Sequence, residues 1–573
     1  MKTMFTQEKL QKYLPLALIG LVSLGLILPQ WLGQDVILGS DSIFHYNRFY
    51  DAAMQIKNGN ISYFISIYGF QQSGRIVNAL YGPFFAYFQG LLVLISKNWF
   101  GYQLLSRFVL HLFAGLSMFS LLRAAKIRLP ISLSLAIFYL TTFSVQYWSI
   151  RQGFSSWGAA LMPYCLIPII QLIFEQKVNS VRMALAVALM LQVHVLSALF
   201  LVLIYIPFYL YSFVKSAAKL ALIWQTFLAV VLAIFLTLNI WAALIFLRQD
   251  NKLLDPFINP LMQQNTIDGT ATYWLNRPSF LLVLFIIHIF LTLLHWRKIT
   301  GWEKVAFVTY LGFLLLSTSF FPWQYLLDSG VKFAELIQFP FRFFIPATVL
   351  LLLLVGRLLN NLTKSTKLLT LALSIGLVFS MFQVSQFALK KVESADKGQY
   401  VLKNSKHVYL FEDYQATRSS LFDSDKSKLL QAVQKATPDY LPIYNDLTGK
   451  NTYVLYAHQL ILPNVSIEKT LVNNQLTLTW SSRQDQLEAL PVVKYERTKL
   501  FLNGKELSKG DYQLSELGAV TVQAKKGLNQ LMVTYQEPKL FTISLWLTIG
   551  TWLITLVFLY FPFIKLTSKG QLI

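Results

Sequence analysis

The chain alternates between long apolar stretches and short polar gaps over most of its length. The first apolar stretch covers residues 14–32, and others follow at residues 102–122, 130–148 and 158–174. An uninterrupted apolar stretch of roughly 18 residues or more can cross the hydrocarbon core of a bilayer as a helix. The pattern therefore predicts an all-α polytopic membrane protein with about twelve transmembrane helices. The further predicted spans are residues 183–215 (two short helices meeting at an outer turn), 219–247, 279–296, 305–320, 343–359, 367–389 and 541–563.

The positions of Lys and Arg predict how this bundle is oriented. Basic residues collect in the cytoplasmic gaps of membrane proteins, so the gaps rich in Lys and Arg are placed inside. This puts both termini in the cytoplasm, keeps the first helix as a retained span, and makes residues 34–100 one long outer loop. Its apolar part, residues 79–95, is predicted to lie in the interface, because a spanning helix there would put every later basic gap outside. The basic gaps are Lys2/Lys9/Lys12, Arg123/Lys126/Arg128, Lys215/Lys219, Arg297/Lys298/Lys304, Lys364/Lys367 and Lys565/Lys569.

Residues 390–538 have a different pattern. Alternating apolar and polar positions at 476–480 are typical of a half-buried strand, and Asn503-Gly504 is a strong hairpin signal. Further strands are predicted at residues 518–522 and 531–535. The sequence thus divides into a transmembrane core (1–389), an extracytoplasmic domain (390–538) that is mixed at first and then a β-sandwich from about 476 to 535, and a last helix with a cytoplasmic tail (539–573).

Composition agrees with a membrane protein and narrows its chemistry. The chain is 55% hydrophobic and only 13% charged, about half the charged share of a soluble domain. The net charge of +22 does not indicate a nucleic-acid partner, because the basic residues sit in short gaps between apolar spans. The single cysteine, Cys165, lies within an apolar span, which excludes disulfides and a thiol metal site.

The stretch with most chemistry is Gly39 to Asp51, directly after the first span. Ser40 or Asp41 can cap a helix that Lys57-Asn58-Gly59 ends. Positions 41, 45 and 48 then share one helix face, which places an acid, an imidazole and a guanidinium together. The aromatic side chains of residues 44, 49 and 50 are predicted to rest on the bilayer surface. The face is either an amphipathic surface with a capping Asp and ion pairs, or a reaction or binding site that faces outward.

Polar residues of the other predicted outer loops lie on the same side of the membrane as this stretch. Ionisable groups near membrane depth are energetically costly, so such a cluster indicates a functional site. For each cation alone, an interfacial anchor remains the alternative interpretation. No phosphate loop, dinucleotide fingerprint, nucleophile elbow or zinc motif is present, which argues against soluble-cofactor chemistry; a divalent cation stays open as an alternative that no motif indicates. An acid that deprotonates an acceptor hydroxyl, with arginines that hold a phosphate, fits this set. The predicted site is Asp41 and His45 as catalytic residues, with Arg48, Asp51, Arg151, His194, Gln338 and Arg342 binding substrate.

Four motifs resemble one family. Asp41-x-x-x-His45-x-x-Arg48, Tyr81-Gly82-Pro83, His194 at an outer turn and the run from Gln338 to Phe343 are similar to bacterial polytopic proteins labelled 6-pyruvoyl-tetrahydropterin-synthase-related, and to YfhO-like proteins. The histidine zinc cluster of pterin chemistry is missing. The resemblance instead implies the architecture of GT-C glycosyltransferases, which have a long first outer loop with an acid near its start. Asp41 matches that acid, whereas a second acid in the second outer loop is replaced by Arg151-Gln152.

The resemblance implies transfer of a sugar from a polyprenyl-phosphate donor to an outer-surface acceptor, such as a cell-wall polymer or glycolipid, in a bacterial cell membrane. Two other functions fit the same layout. One is a transporter or flippase for a lipid-linked intermediate, although no internal repeat or pair of broken helices is visible in the sequence. The other is a non-catalytic assembly partner for cell-envelope polymer synthesis.

Overall fold

A computed structural model describes residues 2–361, 366–396, 402, 407–462 and 466–560 of the chain. It is mostly helical, with a β-sheet region in its C-terminal part. The helices are α1 (Lys2–Gly33), α2 (Ser42–Asn58), α3 (Pro83–Ile95), α4 (Trp99–Ala124), α5 (Leu129–Thr141), α6 (Phe143–Arg151), α7 (Ser155–Cys165), α8 (Ile167–Glu175), α9 (Ser180–Val193), α10 (Val195–Lys215), α11 (Lys219–Phe235), α12 (Leu238–Asp250), α13 (Tyr273–Asn276), α14 (Phe280–Leu294), α15 (Gly301–Leu316), α16 (Trp323–Asp328), α17 (Lys332–Ile337), α18 (Phe344–Asn361), α19 (Thr366–Asp396), α20 (Tyr414–Ser420), α21 (Ser427–Ala432), α22 (Thr452–Tyr456) and α23 (Lys539–Tyr560).

Eight helices in the described residues are long and apolar enough to cross a membrane, or nine if one bent pair counts as a single span. This supports the prediction of a membrane protein. The predicted spans at the start of 183–215, at 279–296 and at 305–320 are helices α9, α14 and α15, which have 14, 15 and 16 residues. They are shorter than the roughly 20 residues that a bilayer requires, so the count of twelve stays a prediction. Residues 561–563 of the last predicted span, with Lys565 and Lys569, lie outside the described residues.

The single long span predicted over residues 219–247 consists of two helices in the structure, α11 and α12. The chain bends by 60° between α11 and α12. The C-terminal domain (residues 390–538) holds the end of α12: Arg497 pairs with Asp250, and the Glu496 backbone N–H donates to the Asn251 side chain at 2.8 Å. The apolar part of α12 also packs against α23. The end of α12 is thus held by both the C-terminal domain and α23.

Helix α2 begins and ends as predicted. Asp41 occupies the N-cap position, although its side chain makes no capping hydrogen bond, and Gly59 ends the helix in the left-handed conformation (φ 67°) that glycine adopts without strain. The prediction that residues 44, 49 and 50 rest on the bilayer is wrong for two of them, because Phe44 and Phe49 are buried. The Phe44 ring packs against Phe70 and Tyr81 of the first loop. The Phe49 ring packs against Tyr102, Trp148 and Phe154. Helix α2 is thus an internal helix of the protein and not a surface one.

The C-terminal region contains the predicted strands. Its two larger sheets are antiparallel and share one apolar core, to which both contribute buried side chains such as Leu478, Trp480 and Val522. The predicted hairpin at Asn503-Gly504 is confirmed, since both residues have positive φ and the flanking residues pair. Helices and a two-stranded sheet, β1 with β2, precede this sandwich-like unit. The strands are β1 (Val408–Leu410), β2 (Val433–Lys435), β3 (Glu468–Val472), β4 (Gln475–Ser482), β5 (Gln486–Val493), β6 (Thr498–Leu502), β7 (Lys505–Glu506), β8 (Tyr512–Leu514), β9 (Ala519–Ala524) and β10 (Gly527–Tyr535).

Candidate functional site

The turn before α2 is fixed against the loop after α6. Gly39 lies so close to that loop that a Cβ there would be 1.8 Å from the Arg151 carbonyl oxygen, so only glycine fits. Its N–H donates to the side chains of Ser42, at 2.7 Å, and Gln152, at 2.5 Å. The Ser42 hydroxyl also donates to Gln152, at 2.6 Å. These bonds fix the backbone position of Asp41 at the end of the turn.

Asp41 presents its carboxylate to an accessible space. About half of its side chain is exposed (51%), and Oδ1 accepts a hydrogen bond from Lys435 Nζ at 3.1 Å. Lys435 comes from β2 of the outer domain and also donates to the Ser40 carbonyl. Desolvation raises the pKa of Asp41, but the positive charges of Lys435 and Arg342 outweigh it and hold the pKa below 3.8. The carboxylate is therefore ionised at neutral pH and can accept a proton.

His45 and Arg48 lie one and two turns further along α2, and both are buried. Arg48 Nη1 contacts His45 Nδ1 at 3.3 Å. A guanidinium can only donate, so Nδ1 must be the acceptor and a neutral His45 carries its proton on Nε2. Burial, together with the Arg48 charge, lowers the pKa of His45 to about 3. His45 is thus a neutral hydrogen-bond donor and not a base at neutral pH.

The other nitrogens of Arg48 are also occupied. Nε donates to the Asn78 side chain at 3.1 Å, and Nη2 donates to the Tyr81 carbonyl. The guanidinium carbon lies 4.4 Å from the centre of the Tyr81 ring. A buried cation needs this number of partners to offset its desolvation. Arg48 therefore holds α2 to the loop before α3 and has little capacity left for a ligand.

Arg342 is only partly buried and has donors to spare. Its Nη1 donates to the Gln338 side chain at 2.9 Å and to the Ile337 carbonyl at 3.1 Å. Among the described residues, its Nε and Nη2 have no hydrogen-bond acceptor. Gln338 is itself fixed by a bond from Nε2 to the Phe257 carbonyl at 2.6 Å. Gln338 thus positions Arg342, whose remaining N–H groups suit an anionic oxygen.

His194 forms the turn between α9 and α10, as predicted, with extended φ and ψ of −156° and 107°. Its Nδ1 lies 2.8 Å from the Ser197 hydroxyl. The predicted Tyr81-Gly82-Pro83 motif packs against this turn: Gly82 has φ 62°, and a Cβ there would be 3.0 Å from the Gln192 and Val193 carbonyls. The motif therefore allows the backbone of the first loop to lie directly against the turn that contains His194.

Five of the predicted residues thus lie near one another. Each of Asp41, His45, Arg48, His194 and Arg342 lies within electrostatic range of at least one other member of this group. The rings of Tyr81 and Tyr147 lie within the same electrostatic environment. Cations outnumber anions here, which is the composition expected of a site for an anionic ligand.

Two predicted residues lie apart from this group. Asp51 is buried, and its Oδ1 accepts bonds from the backbone N–H groups of Ile67, Tyr68 and Gly69 at 2.9, 2.8 and 3.1 Å. Its Oδ2 accepts from Gln55 at 2.8 Å, so no oxygen is left for a substrate. We therefore assign it to loop anchoring and withdraw it from the binding set. Arg151 is exposed beside the site, with its guanidinium 5.0 Å from the Tyr273 ring centre.

Sequence reasoning missed two residues from the outer domain. Lys435 pairs with Asp41, and Asp439 lies near enough for its charge to act on Asp41 and Lys435. Burial raises the pKa of Asp439 to about 6, although the nearby Arg75 lowers it. Asp439 is therefore a second acid close to Asp41, and it comes from a distant part of the chain. No local signal marks either residue, since both sit in short segments without periodicity.

The buried imidazole predicts an acid-sensitive stability. The unfolded chain takes up a proton at His45 below its ordinary pKa of 6.5, whereas the folded chain does so only near pH 3. Stability conferred above pH 6.5 is then lost as the pH falls from 6.5 towards 3. Between pH 7 and 5 the wild type should lose about 2 kcal/mol more unfolding free energy than His45→Gln, which keeps an acceptor for Arg48. Unfolding midpoints of the purified proteins at both pH values measure this difference. His458→Gln, which removes an exposed imidazole, should behave as the wild type does, and an identical loss in His45→Gln would contradict the assignment.

Two negative findings complete the description of the site. Within the residues that the structure describes, no group of three or more His, Cys, Asp or Glu side chains could hold a metal ion. Among known proteins, no family model matches the chain, and no curated protein matches it either.

Proposed function

We propose that the chain is a membrane glycosyltransferase of GT-C architecture. It transfers a sugar from a polyprenyl-phosphate donor to an acceptor at the outer surface of a bacterial membrane, with inversion at the anomeric carbon. The acceptor is a cell-envelope polymer or glycolipid. The observation that carries the proposal is an accessible Asp41 carboxylate within electrostatic range of Arg342, whose donors are not all used. The motif resemblance to YfhO-like proteins and GT-C enzymes supports the same function.

The chemistry requires one base and one anion site. The acceptor hydroxyl attacks the anomeric carbon and loses its proton to Asp41, while the bond between that carbon and the phosphate oxygen breaks. The electron pair leaves with polyprenyl phosphate, whose added negative charge Arg342 stabilises. His45, with its proton on Nε2, and His194 position the reactants. Lys435 keeps the Asp41 carboxylate ionised. When Asp41 takes up the proton and negative charge develops on the phosphate, the Lys435 ammonium can pair with the phosphate instead.

Several residues therefore have roles different from those in the sequence-based hypothesis. Arg48 and Arg342 are both predicted to bind substrate, but each of the three guanidinium nitrogens of Arg48 already has a partner and its side chain is buried. Arg342 is the better candidate. His45 acts by donating a hydrogen bond and does not accept the proton.

We place the site and the β-rich domain on the extracellular side, with both termini in the cytoplasm. The positive-inside pattern of the basic gaps supports this orientation. A topology reporter inserted after Lys126 or Lys298 should be cytoplasmic, and one inserted at residue 447, in an outer-domain loop, should be external. The measurement is accessibility of the reporter to a membrane-impermeant reagent in intact cells. An external reporter at Lys126 would contradict the orientation and the assignment of the first loop.

A transporter or flippase for a lipid-linked intermediate is the second candidate, favoured by one observation. Transporters often contain discontinuous helices, and α11 and α12 are such a pair, bent by 60°. The break lies beside Asn239, which is buried and bonded to Gln192 and Tyr63 side chains at 2.8 and 3.1 Å. These polar side chains satisfy one another, so the break leaves no open ligand group at this point. The transferase therefore remains the preferred function.

The experiment that separates the two uses purified chain in detergent with a polyprenyl-phosphate-linked sugar. A transferase releases polyprenyl phosphate in proportion to acceptor and forms a glycosylated product. A flippase, reconstituted in vesicles, moves the intact donor between leaflets without releasing polyprenyl phosphate. If the intact donor moves between leaflets and no polyprenyl phosphate is released, the chain is a flippase and not a transferase.

A further inference from the structure

Three cationic side chains meet beside the candidate site but outside it. The Arg277 guanidinium lies 4.0 Å from the centre of the Phe387 ring, and the Lys391 ammonium lies 5.7 Å from the same centre. Arg151 stacks 5.0 Å from the Tyr273 ring, on the helix α13 that leads to Arg277. The charge of Arg151 acts on both Arg277 and Lys391. We call these three side chains the basic triad.

The basic triad has no counter-charge among the described residues. No carboxylate there forms an ion pair with any of its members, and none of the three cationic groups donates a hydrogen bond. Three like charges at this separation repel one another. The three cationic groups contact only aromatic rings, so an anion that binds between them would offset their mutual repulsion. Phosphate suits this position, because guanidinium groups match the geometry of its oxygens.

The surface below the triad is apolar and built to face lipid. Helices α14 and α19 pack closely, since a Cβ at Gly376 would lie 2.4 Å from the Phe280 ring, and Ser279 and Gln383 exchange hydrogen bonds of 3.0 Å. The outward side chains of both helices are exposed and apolar. They include Ile286 (60%), Phe290 (64%), Val378 (67%) and Phe382 (59%).

We propose that the basic triad binds the phosphate of a membrane phospholipid whose acyl chains lie along α14 and α19. Basic pockets at the ends of transmembrane helices bind lipid headgroups in this manner. The site uses none of the side chains assigned to sugar transfer. It is a neighbour of that site, because Arg151 directly precedes Gln152, which fixes the turn before Asp41. The inference does not depend on the transferase function.

The test measures lipid binding by the full chain, delipidated in detergent, with phosphatidylglycerol as the probe. Arg277→Gln/Lys391→Gln should weaken binding by about tenfold or more, since each basic group near a headgroup contributes about 1 kcal/mol. Arg151→Gln alone should weaken it several-fold, which gives a second variant if the double one is unstable. The matched control is Lys219→Gln/Lys304→Gln. It also removes two cations beside aromatic rings, 5.8 Å from Phe213 and 5.2 Å from Trp296, but in gaps at the opposite ends of their helices.

Each outcome decides the proposal. Weakened binding in the triad variants with unchanged binding in the control supports it, and an equal loss in both, or in neither, overturns it. Inorganic phosphate at the same concentration should not compete, and competition as strong as that of the lipid would replace the lipid by a free anion. Asp41→Asn should keep lipid binding while it loses sugar transfer, so failure of one proposal is distinguishable from failure of the other.

Discussion

Asp41→Asn should lower sugar transfer by about a hundredfold or more, which is the usual loss when a general base is removed. The amide is nearly isosteric but cannot take the acceptor proton. The fold should survive, because the Asp41 side chain makes no capping bond and is half exposed. Loss of its ion pair with Lys435 should change the unfolding free energy by less than about 1 kcal/mol. Transfer rates at equal protein amount, with unfolding midpoints of both proteins, measure the two effects.

The matched control is Asp423→Asn. It removes the carboxylate of another Asp–Lys pair of the outer domain, in which Asp423 lies 2.6 Å from Lys428. Its transfer rate should stay within about twofold of the wild type, since a surface ion pair contributes little. Near-normal turnover in Asp41→Asn would mean that Asp41 serves only as the N-cap residue of α2. That result would favour transport or assembly as the function.

Asp51→Ala should produce the largest loss of stability among the residues of the first loop. The substitution leaves the buried N–H groups of Ile67, Tyr68 and Gly69 without an acceptor. Each orphaned group costs about 1–3 kcal/mol, so the unfolding free energy should fall by several kcal/mol. The loop from Ile65 to Ile76, which closes by a bridge between these two residues, should become sensitive to protease. Unfolding midpoints and limited proteolysis measure the effect.

Asp413→Ala is the comparison for this prediction. Asp413 is exposed and accepts one backbone N–H, that of Ala416, as the cap of α20. Its loss should cost about 1 kcal/mol, the usual value for an N-cap. A loss in Asp51→Ala no larger than this would show that Asp51 does not anchor the loop, and would return it to the candidate ligand-binding groups.

The features that could be predicted from the sequence are those with a local cause. The limits of α2 follow from a capping position and a Gly59 stop, and the hairpin at Asn503-Gly504 follows from two residues that tolerate positive φ. The turn at His194 follows from two apolar segments too long for one helix. In each case the signal and the structure lie within a few residues of one another.

The features that could not be predicted depend on contacts between distant parts of the chain. Lys435 reaches Asp41 across 394 positions. Phe44 and Phe49 look like membrane-surface residues until other segments cover them. Asp51 has the same residue type as Asp41 in the same helix stretch, yet its oxygens are occupied by a loop that returns to it. Residue type and spacing alone cannot separate an accessible acid such as Asp41 from a structural one such as Asp51.

We propose that the Asp41 site receives a lipid-linked phosphate. The most direct measurement is an experimental structure of the purified chain with bound polyprenyl phosphate. We expect the phosphate oxygens within about 3 Å of the Arg342 Nε or Nη2. The Asp41 carboxylate should face the side of the phosphate that is not esterified to the polyprenyl chain. Phosphate that binds at the opposite, cytoplasmic end of the helices, or at the basic triad alone with the Asp41 space unoccupied, would contradict the claim.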